Sequence, residues 1–162
     1  MANFDLPKAV NEIQGSKPLP AEWYLMTIVE EPEIRPNKAG TAENLVLTLR
    51  TEHDVPEFSG RKFTKYLQWP SDEDEGEFTA RGQKKSDAKM EQLIRWSAAF
   101  NGVNPDGPAE KVSERMAAAG MASAVVFDVG ARANVWVAQT LNEETQEIEN
   151  EIPFFSVPKV VG

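Results

Sequence analysis

Leu45, Leu47 and Leu49 alternate with Asn44, Val46, Thr48 and Arg50, and this run carries the clearest two-residue period in the chain. Successive side chains of an extended strand point to opposite faces, so the leucines predict one inner face. Thr48 and Arg50 fall on the other. Trp23 to Val29 is aromatic and β-branched, as a strand requires, and Pro32 limits regular pairing beyond Glu30 and Glu31. Pro36 to Gly40 supplies turn chemistry between these two strands. A third strand is predicted from Arg61 to Trp69. Phe63, Lys65, Leu67 and Trp69 share one of its faces, Lys62, Thr64, Tyr66 and Gln68 take the other, and Pro70 ends it.

Helical spacing then takes over. Met90, Leu93, Ile94, Ser97 and Phe100 fall on one face of a helix, with Ser86 as N-cap, Asp87 in the first turn and Asn101-Gly102 as the stop. A second helix is predicted from Pro108 to Ala119, closed by Gly120. The apolar run from Ala122 to Phe127 reads as a short strand. Arg132 to Thr140 reads as another, paired with Ile148 to Val157 across a turn at Asn142 to Gln146.

Three strands, two helices and two or three further strands give a mainly β chain. The expected architecture is an OB-like (oligonucleotide/oligosaccharide-binding) five-stranded antiparallel barrel with two helices between strands three and four. Other α+β sheets share that order. Residues 1–19, with Pro7, Pro18 and a Gly15-Ser16 pair, read as an N-terminal arm holding a short helix from Pro7 to Gln14. Residues 20–162 read as one domain, with the helical insertion at about 86–120.

Composition narrows the chemistry. The 162 residues contain no cysteine and one histidine, His53, which excludes disulfides, thiol catalysis and thiolate metal sites. One imidazole with carboxylates is a poor zinc set, so no metal is expected, and His53 reads as a solvated loop residue. No Gly-x-Ser-x-Gly turn or Gly-rich phosphate loop is present, so the expectation is a non-catalytic protein without a cofactor. No run approaches the ~18 apolar residues of a membrane span, and Met1 to Lys8 lacks signal-peptide character. A cytoplasmic location is expected.

The net charge of −9 argues against loose coating of duplex DNA, which depends on neutralising phosphates. The charge is segregated, however. From Arg35 to Lys65 six bases (Arg35, Lys38, Arg50, Arg61, Lys62, Lys65) share the chain with four acids (Glu43, Glu52, Asp54, Glu57). The acids gather in Asp72 to Glu77, read as a solvated loop and not as a calcium site, and in five glutamates from Glu143 to Glu151. The lysines of Gln83 to Lys89 read as solvent-facing charges, and Trp96 as core.

Lys62-x-x-Lys65-Tyr66-x-x-Trp69 interleaves bases with aromatics, as single-stranded nucleic acid requires: cations along the phosphates, flat rings under unpaired bases. Trp69 equally fits a core position beside Phe63 and Leu67. Arg35 and Lys38 stand in the loop between strands one and two, which in OB folds helps to grip the ligand.

Pro18 to Tyr24, Arg35-Pro-Asn-Lys-Ala-Gly40 with Asn44 to Leu49, Gly60-Arg-Lys-Phe63, and Gly130-Ala-Arg132 with Val135-Trp-Val137 and Asn150-Glu-Ile152 together resemble a bacteriophage and prophage family. That family was long catalogued as a domain of unknown function, and its members are commonly labelled single-stranded DNA-binding or recombination-associated proteins. Glu22 and Trp23 stand where the family pattern has a glycine before the tyrosine. The resemblance implies an OB-type protein of phage replication or recombination, working in the bacterial host cytoplasm if phage-encoded. It would hold single-stranded DNA through Arg35, Lys38, Lys62, Lys65 and Arg132, with Tyr66, Trp69 and Trp136 as stacking residues. Phage replication or recombination proteins are the implied partners. The competing expectation is a structural or adaptor module that binds another protein through its acidic surface.

Overall fold

The computed structural model describes residues 17–71, 74, 76–78 and 82–162. Residues 1–16 of the expected arm, with the helix read at Pro7 to Gln14, lie outside them. The last three residues of that arm belong to the fold. Leu19 is fully buried, and its backbone N–H and C=O are both bonded to the side-chain amide of Asn150.

Among the described residues there are six strands and two α-helices: β1 (Glu22–Ile28), β2 (Glu33–Pro36), β3 (Glu43–Glu52), β4 (Lys62–Gln68), α1 (Lys85–Phe100), α2 (Ala109–Ala118), β5 (Arg132–Asn142) and β6 (Glu147–Glu151). The fold is mainly β, with both helices between β4 and β5. Two expectations are corrected: there are six strands where five were expected, and the antiparallel sheet is open where a closed barrel was expected.

The sixth strand comes from the proline break. One edge of β3 pairs with β1 along Leu49 to Glu52 and with β2 along Glu43 to Val46. Glu30, Glu31 and Pro32 separate the two, because proline supplies no N–H for a continuous ladder. The other edge of β3 pairs with β4 over its whole length, and β1 continues the sheet through β5 to β6.

The inner face follows the predicted alternation. Tyr24, Met26 and Ile28 of β1, Leu45, Leu47 and Leu49 of β3, Leu67 of β4 and Ala133, Val135 and Val137 of β5 are buried against Leu93, Trp96, Ala99 and Phe100 of α1. Full burial of each leucine contributes about 1.5–3 kcal/mol relative to exposure. Helix α1 and the turn at Pro153 to Ser156 lie against the inner side of β4. Trp96 Nε1 donates to the Ser156 carbonyl at 3.0 Å, and Gln92 Nε2 donates to that of Phe154 at 3.0 Å. A smaller cluster, Val112 and Met116 with Ile94, Ala98 and Val103, joins α2 to α1.

Three local expectations are corrected. Helix α1 begins at Lys85 with Lys84 as N-cap, so Ser86 lies inside it; the stop holds, with Gly102 at φ +73° just past Asn101. Ala122 to Phe127 is not a strand. Its backbone is spent on α1 instead, with Val126 N–H donating to Ser97 Oγ and Val126 C=O accepting from Ser97 and Asn101. Asp74, in the acidic run read as solvated, is 5% exposed and paired to Lys89 at 2.8 Å. Donors from Lys89 first, and Ser71 after it, hold its carboxyl below the usual carboxylate range. Asp72, Glu73 and Glu75 lie outside the described residues. No helix among the described residues is long and apolar enough to cross a membrane.

Candidate nucleic-acid interface

The outer face of the sheet collects residues that are distant in sequence. Cross-strand register places Lys62 of β4 opposite Arg50 of β3, Arg50 opposite Thr27 of β1, and Thr27 opposite Arg132 of β5. Adjacent strands lie about 4.8 Å apart, so these four side chains form one row across four strands, on the order of 15 Å long. Lys62, Arg50 and Arg132 are exposed. A row of cations with a hydroxyl among them is a donor set for phosphate oxygens.

Aromatic rings flank the row on either side. Tyr66 stands opposite Val46 on β4 and is 56% exposed. In the other direction along the strands, Trp23 of β1 stands opposite Trp136 of β5. Their rings meet edge-on, with centroids 5.6 Å apart. Lys159 places its ammonium 4.3 Å from the Trp23 ring centre, held there by a backbone bridge to Asn134. At about 3.3 Å per residue, Tyr66 and the tryptophan pair are roughly 25 Å apart along the strand direction, with the cations between.

Carboxylates temper the face. Glu52 Oε2 accepts from Thr27 Oγ1 and from Arg132 Nε, each at 2.9 Å. The Thr27 hydroxyl foremost, and then Arg132, hold its carboxyl below the usual range. Arg35 on β2 is tied to its neighbour Glu33 at 2.6 Å, and Thr48 donates to Glu30 at 3.2 Å.

The eight residues expected from sequence therefore divide. Lys62, Tyr66, Arg132 and Trp136 share the outer face of the central strands. Arg35 is exposed farther along, on β2, and already paired; Lys38 is exposed in the turn after β2. Lys65 is a correction. It lies on the inner face, 5% exposed, with Nζ directed at the carbonyls of Phe154 (3.3 Å) and Pro153 (3.5 Å) and 5.2 Å from the Trp96 ring centre. Burial lowers its pKa to about 8. Its parity is that of Leu67, and a lysine so placed cannot follow a phosphate chain on the other side. Of the two positions expected for Trp69, it takes the core one: it is half-buried and packs against the core, and is not a stacking residue of the outer face.

His53 is no solvated loop residue. Its Nδ1 accepts from Val55 N–H at 3.0 Å, its Nε2 meets Glu22 at 3.1 Å, and its ring packs between Tyr24 and Phe58. Tyr24 beside it is fully buried, donates to the Pro20 carbonyl at 2.8 Å, and has its pKa pushed up to about 12 by burial first and Glu22 second.

The site residues sequence reasoning missed are Thr27, Arg50, Trp23 and Lys159. Arg50 had a signal, since alternation with the leucines already placed it beside Thr48. Trp23 and Lys159 had none, because the partners that hold them arrive from β5. No protein-family model, curated protein or solved structure matches this chain.

Proposed function

We propose that this protein binds single-stranded DNA on the outer face of β4, β3, β1 and β5, without making or breaking bonds. The observation that carries the reading is the row Lys62, Arg50, Thr27 and Arg132, bracketed by Tyr66 on one side and Trp23 with Trp136 on the other. Unpaired strands present phosphates and the flat faces of bases, and this face offers a partner for each. Duplex DNA hides its base faces, so exposed rings beside a cation row favour the single strand. The exposed cations and rings on one face of an open antiparallel sheet support the reading. On this reading, and in line with the phage resemblance, the protein serves replication or recombination by holding the strand.

A labelled oligo(dT) titrated at several salt concentrations tests it. Three exposed cations engaging phosphates predict a log-log salt slope near about −2, at about 0.7 per contact. Absence of binding at low salt to any single-stranded oligomer would remove this reading and favour the adaptor one.

A further inference from the structure

We infer that Glu52 is a built-in substitute for a DNA phosphate, occupying the binding row until the strand displaces it. The inference rests on the single-stranded DNA reading and adds a means of regulating the same site.

Glu52 is an acid on a face whose row is otherwise basic, and one of its oxygens, Oε2, takes both a hydroxyl and a guanidinium proton. A hydroxyl and an arginine converging on one anionic oxygen at 2.9 Å are the partners a backbone phosphate uses. The register explains how they meet. Glu52 stands opposite Leu25, one outward position along from the Thr27–Arg50 pair, so its side chain reaches Thr27 and Arg132. Leu25 offers it nothing polar.

The arrangement is also weak enough to exchange. Glu52 and Arg132 are 44% and 48% exposed, and such surface pairs contribute only about 0–1 kcal/mol. An arriving phosphate brings the same charge to the same donors, and additional contacts to Arg50 and Lys62 that Glu52 does not make. Exchange leaves the freed carboxylate beside the bound strand, where it repels. Glu52 thus lowers affinity for an isolated phosphate more than for a strand that also engages the flanking cations and rings.

Glu52→Gln retains an oxygen that accepts from Thr27 and Arg132 while removing the charge. It should bind labelled oligo(dT) about threefold more tightly at low salt, consistent with a pair of this exposure. Its log-log salt slope should stay at the wild-type value, because the same three cations meet phosphates once the strand is bound. Glu144→Gln, the same change of charge in the β5–β6 turn, controls for net charge and should leave both readings near wild type. In an Arg132→Met background the gain from Glu52→Gln should shrink, since one of the two contested donors is gone and Thr27 alone remains. A thermal melt of each variant confirms that it is folded.

If wild type binds with a salt slope but Glu52→Gln binds no better, or no better than Glu144→Gln, Glu52 is an ordinary surface ion pair and the inference falls while the binding reading stands. If the gain is undiminished without Arg132, the exchange mechanism falls. If neither wild type nor Glu52→Gln binds, both readings fall together.

Discussion

Lys62 and Lys65 stand three residues apart on one strand and end in opposite environments. Lys62 is exposed in a row with Arg50 and Arg132; Lys65 is buried over Trp96, holding the backbone of the Pro153 to Ser156 turn. The residue type is the same, and only the parity of position differs. An odd spacing puts two side chains on opposite faces of a strand, so one lysine faces the core and the other faces solvent. The two faces of this sheet accordingly have separate tasks, stability inside and recognition outside. A basic residue belongs to the second task only if its register allows it.

The largest effect is expected from cutting into the inner face. Leu47 of β3 is fully buried, opposite Lys65 of β4, and Leu47→Ala should destabilise the protein by about 2–5 kcal/mol in chemical denaturation. Thr48→Ala, one residue on and facing out, should change stability by no more than about 0.5 kcal/mol. Equal losses would mean that the two faces are not distinct.

The buried position of Lys65 makes stability depend on pH. Burial holds its folded pKa at about 8, against about 10.4 for a lysine in an unfolded chain. Between those values the unfolded chain binds more protons, so stability rises with pH. Below the window both states are protonated and the contribution is flat. From about pH 7.5 to 9.5, wild type should gain on the order of 2 kcal/mol relative to Lys65→Met. Parallel pH dependences would show that Lys65 titrates as a solvated lysine. Tyr24, whose raised pKa lowers stability only at pH above about 10, stays outside that window.

On the outer face the expected effect is on binding. Tyr66→Ala should weaken oligo(dT) binding by about 1–3 kcal/mol, with the salt slope unchanged because a ring displaces no counterion. A steep fall in slope would assign Tyr66 to the phosphate path instead.

Alternation made much of this legible. The leucines of β3 and the two faces of β4 follow from the sequence, Lys65 included, since its side of the strand is shared with Phe63 and Leu67. What alternation could not supply is the reason a lysine is tolerated there. The carbonyls that receive its ammonium lie 88 and 89 residues away and leave no local trace. Strand β2 was hidden for a related reason: all four of its residues are exposed, so no apolar period marks it, and only pairing with β3 makes it a strand. Conversely, Ala122 to Phe127 is apolar enough for a strand, but Ser97 and Asn101 of α1 claim its backbone groups. The Trp23–Trp136 pair depends on the β1–β5 register, which a single strand's pattern does not encode.

The most direct test compares the salt slopes of Lys62→Ala and Lys65→Met for oligo(dT) binding, with Glu144→Ala as the control. If the outer face holds the strand, Lys62→Ala makes the slope shallower by about 0.7, while Lys65→Met and Glu144→Ala leave it at the wild-type value. A slope unchanged by Lys62→Ala but reduced by Lys65→Met would contradict the account, because the DNA would then lie on the side of the sheet assigned to the core.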